Sequence, residues 1–163
     1  MTPIAVAILA FVTAQRLVEL WLSNRNTARL LADGAVEHGA RHYPLIVGLH
    51  VLWLAALWWL APGRPVSLAW LAVFVLLQLG RVWVLATLGP RWTTRIIIPP
   101  DAPLVRAGPY RLVNHPNYVV VVGEIAVLPL VFGLWPVAVL FTVLSAAVLA
   151  IRIREENQAL RGG

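Results

Sequence analysis

Residues 118–151 have the sequence YVVVVGEIAVLPLVFGLWPVAVLFTVLSAAVLAI, in which Glu124 is the one charged side chain. A helix needs about 20 residues to cross the hydrocarbon core of a bilayer, so this stretch has room for two short crossings. Between them lies the tetrapeptide GLWP at positions 133–136, and proline suits the first position of a new helix. The stretch therefore predicts an antiparallel helical hairpin, with helices at about Tyr118–Phe132 and Pro136–Ile151.

Three further apolar segments precede the hairpin: Pro3–Leu22, Pro44–Ala61 and Val66–Leu88. The chain is 60% hydrophobic and 12% charged, with a mean hydropathy of +0.80, whereas soluble domains carry about 25% charged residues. A membrane β-barrel would need alternating polar positions, and runs such as AVAILAFV have none. The sequence thus predicts an all-α integral membrane protein with five transmembrane helices, the first of them a retained helix rather than a signal peptide.

The distribution of arginine predicts the orientation of these helices. Residues 23–43, 89–117 and 152–163 carry three, four and three arginines, and five crossings put all three segments on one side. The opposite side has only Arg64. Because cytoplasmic loops are rich in basic residues, we expect the N-terminus outside and the C-terminus in the cytoplasm, with residues 89–117 forming a long cytoplasmic loop before the hairpin.

Several charged or polar side chains fall inside the predicted spans: Arg16, Glu19, His50, Gln78, Arg81 and Glu124. With alternating helix directions, all of them lie in the cytoplasmic half of the membrane. Intramembrane charges usually pair with one another and often mark a functional site. We therefore predict a polar pocket that opens toward the cytoplasm, although Arg16 and Glu19 could also neutralise each other locally on one helix.

Composition excludes several kinds of site. The absence of cysteine excludes disulfides and a cysteine nucleophile. The net charge of +6 comes from arginines that flank apolar runs, which favours membrane orientation over nucleic-acid binding. His38 and His42 have a spacing that could serve a metal, but Gly39 lies between them and no acidic ligand is evident, so we expect no metal site. The oligomeric state is left open.

The loop at residues 89–117 has the sequence GPRWTTRIIIPPDAPLVRAGPYRLVNHPN, whose prolines prevent a helix of any length. We expect Ile96–Ile98 to be extended. A long loop without secondary structure in so small a protein is usually functional or disordered, and its aromatic residues argue against disorder. Since the loop leads directly into the hairpin, it is the best candidate for a functional segment.

The motif GPYRLVNHPNY at positions 108–118 resembles that of the isoprenylcysteine carboxyl methyltransferase family, and RIREENQAL at 152–160 resembles the second motif of that family. The segments RLVEL at 16–20, NRN at 24–26 and HYP at 42–44 are similar to its small bacterial branch. Together the matches cover most of the chain in the right order. The chain departs from the family pattern at three positions: Asn114 where arginine is common, Val120 where glycine is common, and Asn157 where a second glutamate is common.

The resemblance implies one membrane methyltransferase domain over residues 1–163, with a cofactor-binding region at about 89–163. It implies transfer of a methyl group from S-adenosylmethionine to oxygen, at the cytoplasmic face of a bacterial inner membrane. The methyl acceptor would be lipophilic, with a carboxylate, enol or phenol, such as an alkylpyrone, an alkylresorcinol or a prenylcysteine-like compound.

The candidate residues follow from the motifs and from the chemistry of the cofactor, which needs an acidic partner for its ammonium group and a cation for its carboxylate. The candidate cofactor-binding residues are Tyr110, Arg111, His115, Pro116, Tyr118 and Glu156. The candidate catalytic residues are Arg152, Glu156 and Glu124, where Arg152 and Glu156 share a helix face and could orient each other. Either glutamate could act as a base toward a phenol or alcohol.

Two other functions stay open on the sequence. A membrane reductase that uses NADPH is one, because sterol reductases have a similar loop, although those chains are generally longer. A non-enzymatic membrane subunit is the other, and there the loop would only dock a partner. No Gly-x-Gly-x-x-Gly fingerprint of a soluble dinucleotide-binding domain is present.

Overall fold

The computed structural model describes residues 3–100 and 103–161. It contains five α-helices: α1 (Pro3–Ala32), α2 (Tyr43–Leu60), α3 (Leu68–Leu88), α4 (Pro116–Val131) and α5 (Trp135–Arg161). The predicted C-terminal hairpin is formed by α4 and α5. The first two and last two residues of the predicted domain lie outside the described part. So do the side chains of Leu160, which belongs to the second motif, and of Arg161, one of the C-terminal arginines.

Helix α1 continues well beyond the apolar segment that predicted it, to Ala32 rather than Leu22. Its buried face includes Leu9, Val12 and Glu19 and then passes to the polar residues Ser23 and Asn26. These positions recur every three or four residues, as one helix face requires. The apolar run ends at Leu22. The helix continues because the polar side chains that follow on the same face, Ser23 and Asn26, pack against the long loop. Helix α5 likewise extends past Ile151.

Helices α1, α2, α3 and α5 are each long and apolar enough to cross a membrane. Their outer faces expose large apolar side chains such as Leu17, Trp59 and Leu76, which lipid would cover. Helix α4 has 16 residues, about 24 Å, and is shorter than the roughly 30 Å of hydrocarbon. Four spans are therefore supported by length and composition, and a fifth crossing by α4 stays a prediction.

Helix α4 nevertheless runs between the two ends of the helix bundle. At one end its carbonyl at Val131 accepts a hydrogen bond of 2.8 Å from the amide of Ser67, between α2 and α3. Along its length α4 packs closely on α3, since a Cβ atom at Gly123 would lie 2.8 Å from Cδ2 of Leu77. A larger residue at position 123 would therefore have to displace the end of the Leu77 side chain, and glycine lets α4 pack directly on α3.

At the other end of the bundle, two strands join distant loops. β1 (Val36–His38) pairs antiparallel with β2 (Ile96–Ile98), with His38 opposite Ile96. The extended conformation predicted for Ile96–Ile98 is confirmed, and the small sheet adds a β element to the predicted all-α fold. Arg95 reinforces the connection through a 2.8 Å ion pair with Glu37. The α1–α2 connection and the long loop therefore lie at one end of the molecule, where α5 also ends.

Candidate active site

A network of charged side chains connects α1, α3 and α4 inside the helix bundle; we call it the buried ion network and define it as Arg16, Glu19, Arg81 and Glu124. Glu124 is fully buried. Its Oε1 accepts hydrogen bonds from Nε of Arg81 and from Gln78, both at 2.7 Å. Its Oε2 accepts from Nη2 of Arg16 at 2.6 Å and also from Nη2 of Arg81. Both oxygens of the carboxylate are therefore occupied.

Glu19 closes the network from α1. It accepts hydrogen bonds from Nη1 of Arg81 at 2.9 Å and from Nη1 of Arg16 at 3.1 Å. Two arginines thus face two glutamates, and the formal charges balance. Five of the six side chains predicted to share one depth come together as paired and largely buried groups. This pairing is what charges inside a membrane require. Arg16, Glu19, Arg81 and the sixth, His50, also line one cavity, and its opening toward the cytoplasm stays a prediction.

A cavity of about 890 Å³ lies between the long loop, the beginning of α4 and the second half of α5; we call it the loop cavity. Most of the predicted site residues line it: Tyr110, Arg111, His115, Tyr118, Arg152 and Glu156. Two predicted residues do not. Pro116 is buried at the first position of α4, and Glu124 belongs to the buried ion network.

Tyr118 is the centre of the hydrogen bonding in the loop cavity. Its hydroxyl donates to Oε2 of Glu156 at 2.5 Å and accepts from Nε of Arg152 at 2.8 Å. Arg152 and Glu156, which were predicted to share a helix face and to be able to orient each other, are linked through this hydroxyl. We call these three residues the Tyr118 group. The Cζ atom of Arg152 also lies 5.5 Å from the centre of the Tyr118 ring, within cation–π range.

His115 extends this arrangement toward the loop. Its ring stacks on that of Tyr118 with centroids 5.2 Å apart and an angle of 18° between the planes. Its Nδ1 lies 3.7 Å from Oε2 of Glu156, which is beyond hydrogen-bond length. Glu156 keeps about a quarter of its side chain exposed, at 26%. Unlike Glu124, it therefore still has an accessible carboxylate oxygen.

Tyr110 is presented to the loop cavity by a 3₁₀ turn over Gly108–Arg111. Gly108 begins that turn with a φ of +53° and packs against Thr87, so a side chain at this position would be both strained and obstructed. Burial raises the pKa of Tyr110 to about 12, and the negative charge of Glu156 adds to the effect. Tyr110 thus remains a neutral hydroxyl that can donate a hydrogen bond at physiological pH.

A second cavity of about 260 Å³ lies between α1, α2, the beginning of α4 and the middle of α5; we call it the helix cleft. Its walls are mainly apolar, with residues such as Leu17, Leu54 and Val148. Four residues border both this cleft and the loop cavity: Trp92, Asn117, Tyr118 and Arg152. The polar cavity and the apolar cleft therefore share one wall, in which the Tyr118 group takes part.

The shared wall includes residues that the motifs did not single out. Trp92 is almost fully buried, and its carbonyl accepts a 2.8 Å hydrogen bond from the amide of Asn26. Next to this wall, Thr94 borders the helix cleft alone and is hydrogen-bonded to the hydroxyls of Ser23 at 2.7 Å and Tyr43 at 3.0 Å. The sequence pattern that could have indicated these contacts is the series of polar residues Glu19, Ser23 and Asn26 on one face of α1.

His38 and His42 border a small recess rather than either large cavity. Among residues 3–100 and 103–161, no three histidine or acidic side chains are grouped so that they could hold a metal ion. The recess also contains Glu155 and Arg95. These two histidines therefore belong to the packing between the α1–α2 connection, the long loop and α5.

Comparison with known proteins agrees with the two motifs. Residues 70–162 match the model of the isoprenylcysteine carboxyl methyltransferase (ICMT) family. A Bacillus subtilis protein described as "Uncharacterized protein YpbQ" is 36% identical over 167 residues, covering 94% of this chain and 95% of YpbQ. An uncharacterized protein of Haemophilus influenzae is 27% identical over 157 residues, covering 93% of this chain and 91% of that protein. No solved structure matches. The matched region contains the whole hairpin and the Tyr118 group, and the chain belongs to the ICMT family.

Proposed function

We propose that this protein is an S-adenosylmethionine-dependent O-methyltransferase that acts on a lipophilic acceptor at the cytoplasmic face of the membrane. The observation that carries the proposal is the wall shared by the loop cavity and the helix cleft. A polar methyl donor and an apolar acceptor need separate binding sites whose reactive ends meet. Membership of the ICMT family supports methyl transfer as the reaction.

The loop cavity suits the donor by size and chemistry. Its volume of about 890 Å³ falls within the usual range for cofactor sites, roughly 300–1,000 Å³. Glu156 would bind the ammonium group of the donor through its accessible oxygen. Tyr110 and His115 offer aromatic surface for the adenine, and Arg111 offers a cation for the carboxylate. The residues present therefore fit S-adenosylmethionine, which supplies a methyl group on a positively charged sulfur.

The helix cleft suits the acceptor. Its apolar walls, such as Leu17 and Leu54, would hold an alkyl chain, and it is bordered by helices whose outer faces would meet lipid. A lipophilic compound could enter from the bilayer without crossing water. Its oxygen would point toward the shared wall. Acceptors with a carboxylate, an enol or a phenol, including alkylpyrones, alkylresorcinols and prenylcysteine-like compounds, all fit this description.

Catalysis would come mainly from positioning and from excluding water. Arg152 has its Nε bound by Tyr118, and the residue is buried at 8% exposure. The rest of its guanidinium would hold the oxygen of the acceptor near the shared wall. Glu156 keeps Tyr118 fixed through their 2.5 Å hydrogen bond. Glu124, whose two oxygens are occupied by arginines, would support the helices rather than accept a proton.

We further propose that the Arg-rich end of the bundle faces the cytoplasm of a bacterial inner membrane. The three Arg-rich segments, residues 23–43, 89–117 and 152–163, meet at this end. Strand β1 of the first pairs with β2 of the second, and both strands pack beside α5, which leads into the third. The loop connecting α2 and α3, which carries Arg64, lies at the other end near Val131. By the positive-inside rule the Arg-rich end is cytoplasmic, where the methyl donor is made.

Calorimetric titration of the purified protein in detergent would test the proposal, with S-adenosylhomocysteine and, separately, NADPH as ligands. We expect the first to bind and the second not to bind. We also expect the protein to transfer labelled methyl from S-adenosylmethionine to an alkylresorcinol or another of the acceptors named above. Binding of NADPH alone would support a reductase instead, and binding of neither ligand would contradict both enzymatic functions.

A further inference from the structure

His50 is the one histidine of α2, and it borders the helix cleft without a hydrogen bond to the buried ion network. Its Nδ1 lies 2.8 Å from the carbonyl oxygen of Ile46, one turn earlier on the same helix. A carbonyl oxygen can only accept, so Nδ1 carries the hydrogen. In the neutral ring, Nε2 then has a lone pair, and the structure gives it no hydrogen-bond partner among residues 3–100 and 103–161.

A second polar atom in this region also lacks a partner. Nε of Arg16 is buried, and within the described part of the chain nothing accepts its hydrogen, although both Nη atoms are bound to glutamates. Arg16 borders the helix cleft as well. Nε of Arg16 has almost no accessible surface, so the free acceptor on His50 is the group that a ligand in the cleft can reach. A hydroxyl group can donate to this acceptor, whereas an ionised carboxylate has no hydrogen to donate.

We propose that His50 is a catalytic residue of this methyltransferase, and that its Nε2 takes the proton from a hydroxyl group of the acceptor. The inference rests on the proposed function and deepens it. It favours acceptors with a phenolic or enolic hydroxyl, because an ionised carboxylate has no proton to give. It also assigns the base to α2, outside the two motifs, rather than to Glu124 or Glu156.

The step balances in atoms and charge. The bond that forms joins the hydroxyl oxygen to the methyl carbon, and the bond that breaks joins that carbon to the sulfur of the donor. The electron pair of the broken bond stays on sulfur, which becomes neutral. The hydroxyl proton moves to Nε2 of His50, so one positive charge disappears from sulfur and one appears on the imidazole. Release of that proton to water restores the enzyme.

The charged groups around His50 come from four other helices. Arg16 of α1, Arg81 of α3 and Glu124 of α4 are near enough to act on the ring electrostatically, and Arg152 of α5 borders the same cleft. These groups are themselves held by hydrogen bonds, as described above. No carboxylate is hydrogen-bonded to His50 in the described residues, so its lone pair is available to the acceptor.

The test compares H50Q and H50A, with H38Q as the control because it makes the same substitution in β1, away from the cleft. The glutamine oxygen of H50Q can still accept a hydrogen bond but cannot take up a proton. We expect kcat of H50Q to fall about a hundredfold, the lower end of what a general base contributes, with little change in the KM for pentadecylresorcinol. H50A should raise KM as well, and H38Q should resemble the wild type.

A binding measurement without the methyl donor provides a second readout. Titration of pentadecylresorcinol into donor-free protein should show about tenfold weaker binding by H50A, the worth of one hydrogen bond. The dimethyl ether of the same compound has no hydroxyl to donate, so its binding should be unaffected by H50A. S-adenosylhomocysteine should bind all variants equally, which shows that they are folded.

The outcomes separate this inference from the proposed function. Wild-type kcat in H50Q, with methyl transfer intact, would overturn the role of His50 and leave the methyltransferase standing. Equal loss of binding for the resorcinol and its dimethyl ether in H50A would reduce His50 to a packing residue. Absence of methyl transfer and of S-adenosylhomocysteine binding in the wild type would instead refute the proposed function itself.

Discussion

The buried ion network and the Tyr118 group both contain arginine and glutamate, but they differ in how completely the glutamates are paired. In the network, each oxygen of Glu124 accepts two hydrogen bonds and the residue is fully buried. In the Tyr118 group, Glu156 receives one hydrogen bond from the tyrosine, and a quarter of its side chain is exposed to the loop cavity.

The difference teaches how to separate structure from function among charges in an apolar protein. A carboxylate whose hydrogen-bonding capacity is used up by arginines has little left for a ligand, and removing it leaves buried cations unpaired. A carboxylate with a free oxygen beside a cavity contributes little to packing, and it can bind a cation that arrives. The fully paired carboxylate should therefore control the stability of the fold, and the accessible carboxylate should control the affinity for a ligand.

The largest expected effect is on the network. Glu124→Gln leaves Arg16 and Arg81 facing only Glu19, so we expect the free energy of unfolding to fall by about 3–5 kcal/mol. Denaturant unfolding in detergent would measure this. Glu37→Gln is the control, since it removes the partially exposed pair with Arg95 and should cost less than about 1 kcal/mol. Equal losses in the two variants would contradict the distinction between network and surface pair.

The next effect is on ligand binding. Glu156→Gln should weaken S-adenosylhomocysteine binding by about ten- to a hundredfold, because a hydrogen bond to a charged group contributes roughly 1.5–3 kcal/mol. Its unfolding should stay close to that of the wild type. The neighbouring Glu155→Gln is the matched control, since Glu155 borders the small recess and not the loop cavity. If Glu155→Gln weakened binding as much, the assignment of Glu156 to the ammonium group would be wrong.

The smallest effect concerns Tyr110 and alkaline pH. Its pKa is raised from 10.0 to about 12 in the folded protein, so the fold favours the neutral phenol. The stability that this provides is complete below pH 10 and is lost as the pH rises toward 12. We expect the wild type to lose more stability than Tyr110→Phe over that interval. Ultraviolet difference titration of the two proteins would show whether the phenol ionises near 12, and ionisation near 10 would contradict its burial.

Much of the helical fold could be predicted, because apolar runs determine where the helices lie. The buried ion network could be predicted only in part, as a set of charges at one depth. Which oxygen accepts from which arginine depends on how α1, α3 and α4 pack. Strand β1 could not be predicted, since its partner β2 lies far along the chain and a strand of three residues has no pattern of its own.

The site was predicted unevenly for a similar physical reason. Tyr118, Arg152 and Glu156 lie in two motifs, so the family resemblance identified them. The hydrogen bonds that join them through the tyrosine hydroxyl required the structure. Residues of the shared wall such as Trp92 and Asn117 have no distinctive spacing. The single polar residue in an apolar helix, His50, was visible in the sequence, but its role depends on facing the helix cleft.

The helix cleft is built from two parts of the chain, one before the region that the family model matches and one inside it. The family model begins at residue 70, whereas α1 and α2, which form one side of the cleft, precede that point. Under the proposed function, substitutions in α1 and α2 that line the cleft would change the site of the acceptor and leave the proposed donor site, which lies in the matched region, unchanged. The short sheet of β1 and β2 sets the limit on such substitutions, because any altered N-terminal half must still present a strand in register with Ile96–Ile98.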